Sequence, residues 1–184
     1  MNGVINFVAY QAVWFAVVAS AGHRRAALGM AAAALFAAAQ LTLSRRRLSD
    51  VRLMAAAVCL GVVIDGTLGR CGWLRYASPA PAFPPHGAPL WILCLWAAFA
   101  LTLTRSLAWL VRRPWLAALL GALGGPLAYA SAARGFAAVE LAPPAARALG
   151  GLALGWGAAL AVLAYLSRRD FAGAEAAASI EARL

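Results

Sequence analysis

The stretch Leu60-Gly61-Val62-Val63-Ile64-Asp65-Gly66-Thr67-Leu68-Gly69 sets a single carboxylate inside an apolar run. An ionisable group at membrane depth is costly to hold and generally faces a bundle interior or a cavity, which makes Asp65 a candidate site. It could bind a proton or a cationic solute, or it could accept hydrogen bonds that tie helices together. Familiar catalysis has less to work with. His23 and His86 fall outside the apolar runs, Cys59 and Cys94 lie inside them, and only Cys71 is expected near water. These residues have neither disulfide nor metal-ligand spacing. There is no glycine-rich phosphate loop, serine elbow or second intramembrane carboxylate. A self-sufficient hydrolase, oxygenase or ion pump of familiar design is therefore not expected, and neither is a metal or cofactor.

Composition sets the surroundings of that carboxylate. Of 184 residues 64% are hydrophobic and 12% charged, with a mean hydropathy of +0.78. Soluble domains carry about a quarter charged residues and under half apolar ones, so these values describe a membrane chain. All 16 basic residues are arginine, which together with abundant alanine reads as the mark of a GC-rich genome. The net charge of +10 sits in short clusters between apolar runs, as at the flanks of membrane helices. The partner it implies is membrane lipid, not nucleic acid.

The elements expected to position the site are six helices, in an all-α integral membrane bundle. A core of about 30 Å takes ~20 helical residues, and runs near 4–21, 26–43, 53–69, 90–110, 115–133 and 148–166 meet that need. The first is read as a retained helix. Ala19-Ser20-Ala21 resembles a signal-peptidase site, but no arginine precedes the run and Tyr10-Gln11 interrupts it. Residues 78–89 hold Pro79, Pro81, Pro84, Pro85 and Pro89 and form the one sizeable loop. Residues 1–169 form one multi-pass domain, and 170–184 a short cytoplasmic tail able to make a surface helix. Arg45, Arg46, Arg47, Arg52, Arg105, Arg112, Arg113, Arg168, Arg169 and Arg183 lie on one side, against Arg24, Arg25, Arg70, Arg75, Arg134 and Arg147 on the other. That bias puts both termini in the cytoplasm.

Counting depth at 1.5 Å per residue brings residues on different helices to one level. Asp65, Tyr129, Trp96 and Trp156 fall together in the outer part of the membrane, with Tyr129 the expected partner of Asp65 and Arg105 too far below. Gln11, Gln40 and Thr102 fall together about 10 Å from the cytoplasmic edge, as a layer of packing hydrogen bonds. Gly61, Gly121 and Gly125 mark close helix packing. Pro126 deprives the Ala122 carbonyl of its usual donor.

Several motifs together carry a family resemblance. They are Asn6-Phe7, Gln11 and Trp14-Phe15; Gly61 and Asp65; Pro89-Leu90-Trp91 and Leu95-Trp96-Ala97-Ala98-Phe99-Ala100-Leu101-Thr102-Leu103; and Gly124-Gly125-Pro126-Leu127-Ala128-Tyr129. The chain resembles the bacterial membrane family known as domain of unknown function 2878 over nearly its whole length, most weakly at the sixth helix and tail. The resemblance implies a small protein of the proteobacterial inner membrane with no assigned activity. Its relatives are often encoded near enzymes that modify membrane fatty acids, such as cyclopropane-synthase-like methyltransferases.

Two functional readings follow. In the first, the chain is a non-catalytic component supporting membrane lipid or fatty-acid modification or an envelope stress response, by binding lipid or docking a membrane-associated lipid-modifying enzyme. In the second, it is a small-solute or proton-coupled carrier or channel that uses Asp65. An enzyme using Asp65 and Tyr129 on a lipid is a third reading, without a nameable reactive centre.

Overall fold

The computed structural model describes the backbone of residues 3–181 and the side chains of residues 3–169. Its helices are α1 (Gly3–Gly22), α2 (Ala26–Thr42), α3 (Arg47–Arg70), α4 (Leu90–Leu103), α5 (Ala108–Val111), α6 (Pro114–Phe136) and α7 (Ala145–Glu181). Among the described residues, four segments are long and apolar enough to cross a membrane: α1, α3, α6 and residues Ala145–Arg169 of α7. The apolar helices α2 and α4 are shorter, at 17 and 14 residues. Large apolar side chains such as Val4, Leu28, Leu35, Val63, Leu123 and Leu154 point outward and are exposed. In a membrane that surface meets lipid tails, to which it costs nothing to be shown.

The third and fourth helices depart from their expected bounds for one common reason. The sequence reading starts the third helix near residue 53 and runs the fourth to 110, but α3 begins at Arg47 and α4 ends at Leu103. The Thr102 carbonyl accepts the amides of Arg105 and Leu107, closing α4 in a tight turn. That turn lays Thr104 and Arg105 against Asp50 on the added first turn of α3, and Ser106 against Asn6 on α1. Tertiary polar contacts thus extend one helix and end another. α6 opens with Pro114 in its first turn, where a missing N–H costs no bond, and continues through Pro126 to a left-handed cap at Ala137. α7 runs unbroken past Arg168-Arg169 to Glu181 instead of yielding to a separate surface helix. The side chains of the expected tail, 170–184, lie outside the described residues.

The connections beyond α3 and α6 are more ordered than loops. β1 (Leu74–Tyr76) pairs antiparallel with β4 (Val139–Leu141), and β2 (Ala82–Phe83) with β3 (Ala88–Pro89) inside the proline-rich segment. The first pair ties the ends of α3 and α6 together. Its Arg75–Glu140 ion pair, at 3.2 Å, is well exposed and contributes at most about 1 kcal/mol. The Ser78 hydroxyl donates to the Ala21 carbonyl and fastens the same region to the end of α1.

Candidate functional site

Asp65 is fully buried and accepts hydrogen bonds from three side chains. Trp96 on α4 donates its indole N–H to Oδ2 at 2.8 Å, Tyr76 on β1 donates to Oδ1 at 2.9 Å, and Tyr129 on α6 donates to Oδ1 as well. The carboxylate therefore joins α3 to α4, α6 and β1 at one point. Burial holds the Tyr76 phenol well above its ordinary range.

Glycines make room for the rings. A Cβ at Gly61 would overlap the Trp96 indole one turn below Asp65, and a Cβ at Gly125 would overlap the Trp156 indole. At Gly121 it would strike the Trp156 carbonyl, so α6 and α7 meet backbone to backbone there. Trp156 does not donate to Asp65. It stacks on Trp96 with ring centroids 4.0 Å apart and planes 18° apart, and meets Phe99 edge-on at 5.6 Å. The support thus runs from Gly121 and Gly125 through Trp156 and Trp96 to the carboxylate.

On their other side the same rings wall a cavity of about 550 Å³ between α1, α4, α6 and α7. Tyr10, Trp14, Trp91, Trp96, Phe99, Tyr129, Phe136 and Trp156 line it, and Gln11 and Ser131 add polar groups. Phe15 on α1 and Leu127 on α6 also line it, yet are 52% and 67% exposed. They mark a side opening between two helices that touch where Trp14 and Phe15 meet Phe136. The size and the aromatic walls are those of small-molecule pockets. Asp65 does not line the cavity. It holds the residues that do.

The second expected layer is dispersed. Gln40 is buried, and its backbone carbonyl accepts from Arg105 at 2.9 Å. The Thr102 hydroxyl turns back to Phe99 of its own helix, and Gln11 faces the cavity. At this end the organising group is one that sequence reasoning placed outside the membrane run. Asp50 is 3% exposed, with Oδ1 taking Thr104 Oγ1 at 3.0 Å and Oδ2 taking Arg105 Nη2 at 3.1 Å. Polar Ser49-Asp50 ahead of an apolar run is a helix-start signal that could have found it. Tyr76 was also unmarked as a partner of Asp65, because it follows the helix and returns to it only through the turn at Gly72, whose φ is +70°.

Among the described residues, no group of three or more His, Cys, Asp and Glu side chains is arranged to hold a metal ion. No curated protein and no solved structure matches the chain. The Asp65 helix, the Trp-rich α4 and the Gly-Gly-Pro stretch of α6 all lie within residues 3–162, which match one family over most of the chain, and the protein belongs to that family, described as protein of unknown function (DUF2878).

Proposed function

We propose that this protein is a non-catalytic, multi-pass component of a bacterial inner membrane that binds the acyl chain of a lipid and thereby supports membrane lipid or fatty-acid modification or an envelope stress response. The observation that carries this reading is the aromatic cavity of about 550 Å³, whose lining includes the outward-exposed Phe15 and Leu127. On an outward-facing helix surface, such an opening admits an apolar chain directly from the bilayer. Six crossings with cytoplasmic termini fit the contacts: Asn6 with Ser106 and Asp50 with Thr104 belong to one side, and Ala21 with Ser78 and β1 with β4 to the other. In that arrangement α4, its turn and α5 make one crossing together. A membrane-associated lipid-modifying enzyme is the partner this reading supplies.

Gly124 provides the test. It lines the cavity, and a Cβ there meets nothing within 4 Å, so Gly124→Leu adds an apolar side chain to the cavity wall with no clash at its Cβ. Purified protein should retain co-purifying lipid in native mass spectrometry, and the variant should lose most of it at unchanged stability. Deleting the gene should alter the fatty-acid profile under membrane stress. Equal lipid occupancy in the Gly124→Leu variant would sink the proposal. The carrier reading has less support: Asp65 is enclosed by three neutral donors and does not face the cavity.

A further inference from the structure

A second pocket, of about 320 Å³, opens at the other end of α3. Its wall comes from the α2–α3 connection, the α4–α5 turn and α7, through residues that include Ser44, Arg45, Arg46, Ser49, Arg105 and Ser167. Its character is opposite to that of the aromatic cavity. Arg45 and Arg105 line the pocket, and among the described residues its one carboxylate, Asp50, is already engaged through both oxygens. The first turn of the 24-residue α3 opens here, with Asp50 inside it and the Ser44 Oγ accepting the Arg46 amide at 3.0 Å. Ser167 is 3% exposed and lines this pocket, and its Oγ has no hydrogen-bond partner among the described residues. A buried hydroxyl without a partner is a cost that a bound acceptor would remove.

We propose that this pocket is an oxyanion site for a phosphate group, held by the Ser167 and Ser49 hydroxyls and the Arg45 guanidinium, with Arg105 pinned to Asp50 as its floor. Phosphate fits because it presents several acceptor oxygens to mixed hydroxyl and guanidinium donors and carries the charge that a guanidinium favours. Arg105 acts by position: its guanidinium is shared among Asp50, Thr104 and the carbonyls of Gln40 and Leu101. The phosphate could belong to an anionic phospholipid headgroup or be free in solution. The site is separate from the aromatic cavity and stands whether or not that cavity holds an acyl chain.

The test uses the full chain in nanodiscs of phosphatidylcholine, titrated with phosphatidic acid or with inorganic phosphate and read by native mass spectrometry and ³¹P NMR. Ser167→Ala removes a hydroxyl with no partner among the described residues and should leave unfolding temperature unchanged while weakening phosphate-group binding at least fivefold. Arg45→Gln, at an exposed position, should weaken it at least tenfold. Saturable binding of phosphatidic acid that inorganic phosphate does not displace supports the site with a lipid headgroup as ligand. Binding of inorganic phosphate itself, with the same dependence on both residues, supports the site with a free anion as ligand. Binding that falls with salt but is indifferent to Ser167→Ala would be generic attraction of arginines to an anionic surface, and would overturn the proposal. So would failure of both probes to bind.

Discussion

Asp50 and Asp65 stand fifteen residues apart on α3, about 22 Å along its axis, and both are buried. Asp50 is held by a cation and a hydroxyl, Arg105 and Thr104, whereas Asp65 is held by two phenols and an indole. The difference follows from depth in the bundle. The Arg105 side chain, 14% exposed beside a polar pocket, keeps part of its hydration while it neutralises its partner. Deep in an apolar bundle a guanidinium would bring a second desolvation cost, and neutral donors solvate a carboxylate without it. The two sets of partners also serve different spaces. Trp96 and Tyr129 face an aromatic cavity, while Arg105 and Thr104 face a polar pocket, so one helix anchors a wall for each.

The largest effect should come from Asp65→Leu, which takes the acceptor from three side-chain donors at once, two of them buried and Tyr76 half-buried. At about 1–3 kcal/mol per unsatisfied group, the variant should lose about 3 kcal/mol or more of unfolding free energy, measured in detergent micelles. Asp65→Asn should recover roughly half, because its carbonyl can take the Trp96 N–H while the phenols turn to accept from its amide. If both variants unfold like the parent, Asp65 anchors nothing. Next is Arg105→Gln, expected to cost about 2 kcal/mol, less than a fully enclosed pair would. A double-mutant cycle with Asp50→Asn should give a coupling of about 1–2 kcal/mol that shrinks as salt rises. The Asp65 cluster should show no such salt dependence, and equal salt sensitivity at both carboxylates would dissolve the contrast between them.

Gly125→Ala comes third, at about 1–2 kcal/mol, because the added methyl displaces Trp156 from its stack on Trp96. Near-UV circular dichroism should report loss of the stacked indole pair, and an unchanged spectrum would detach Trp156 from the support of Asp65. The smallest effect on stability belongs to Gly124→Leu, one residue away on the same helix. Within about 0.5 kcal/mol of the parent, it should alter lipid occupancy alone. That adjacent glycines differ so sharply is the most local form of the distinction between scaffold and cavity.

Asp65 stood out in the sequence because a carboxylate in an apolar run has few explanations, and depth counting set Tyr129, Trp96 and Trp156 at its level. Counting residues cannot give the rotation of a helix, so it could not tell which of these rings donates to the carboxylate and which only stacks. Tyr76 escaped because its place depends on the β1–β4 pairing, between segments more than sixty residues apart. Asp50 escaped because a polar stretch ahead of an apolar run can mark where a helix starts but not that Arg105 arrives from another helix to pair with it.

By itself, the sequence determined that this chain is built of apolar helices, that arginine clusters and prolines separate them, and that it shares one family's pattern. Those properties follow from local composition, because helix formation in an apolar setting depends on each segment alone. Only the tertiary structure decided where α3 starts and α4 stops, which donors enclose Asp65, and that two spaces of opposite character flank one helix. Each of these depends on a polar group finding partners distant in the chain, and a buried polar group is stable only where such partners meet it.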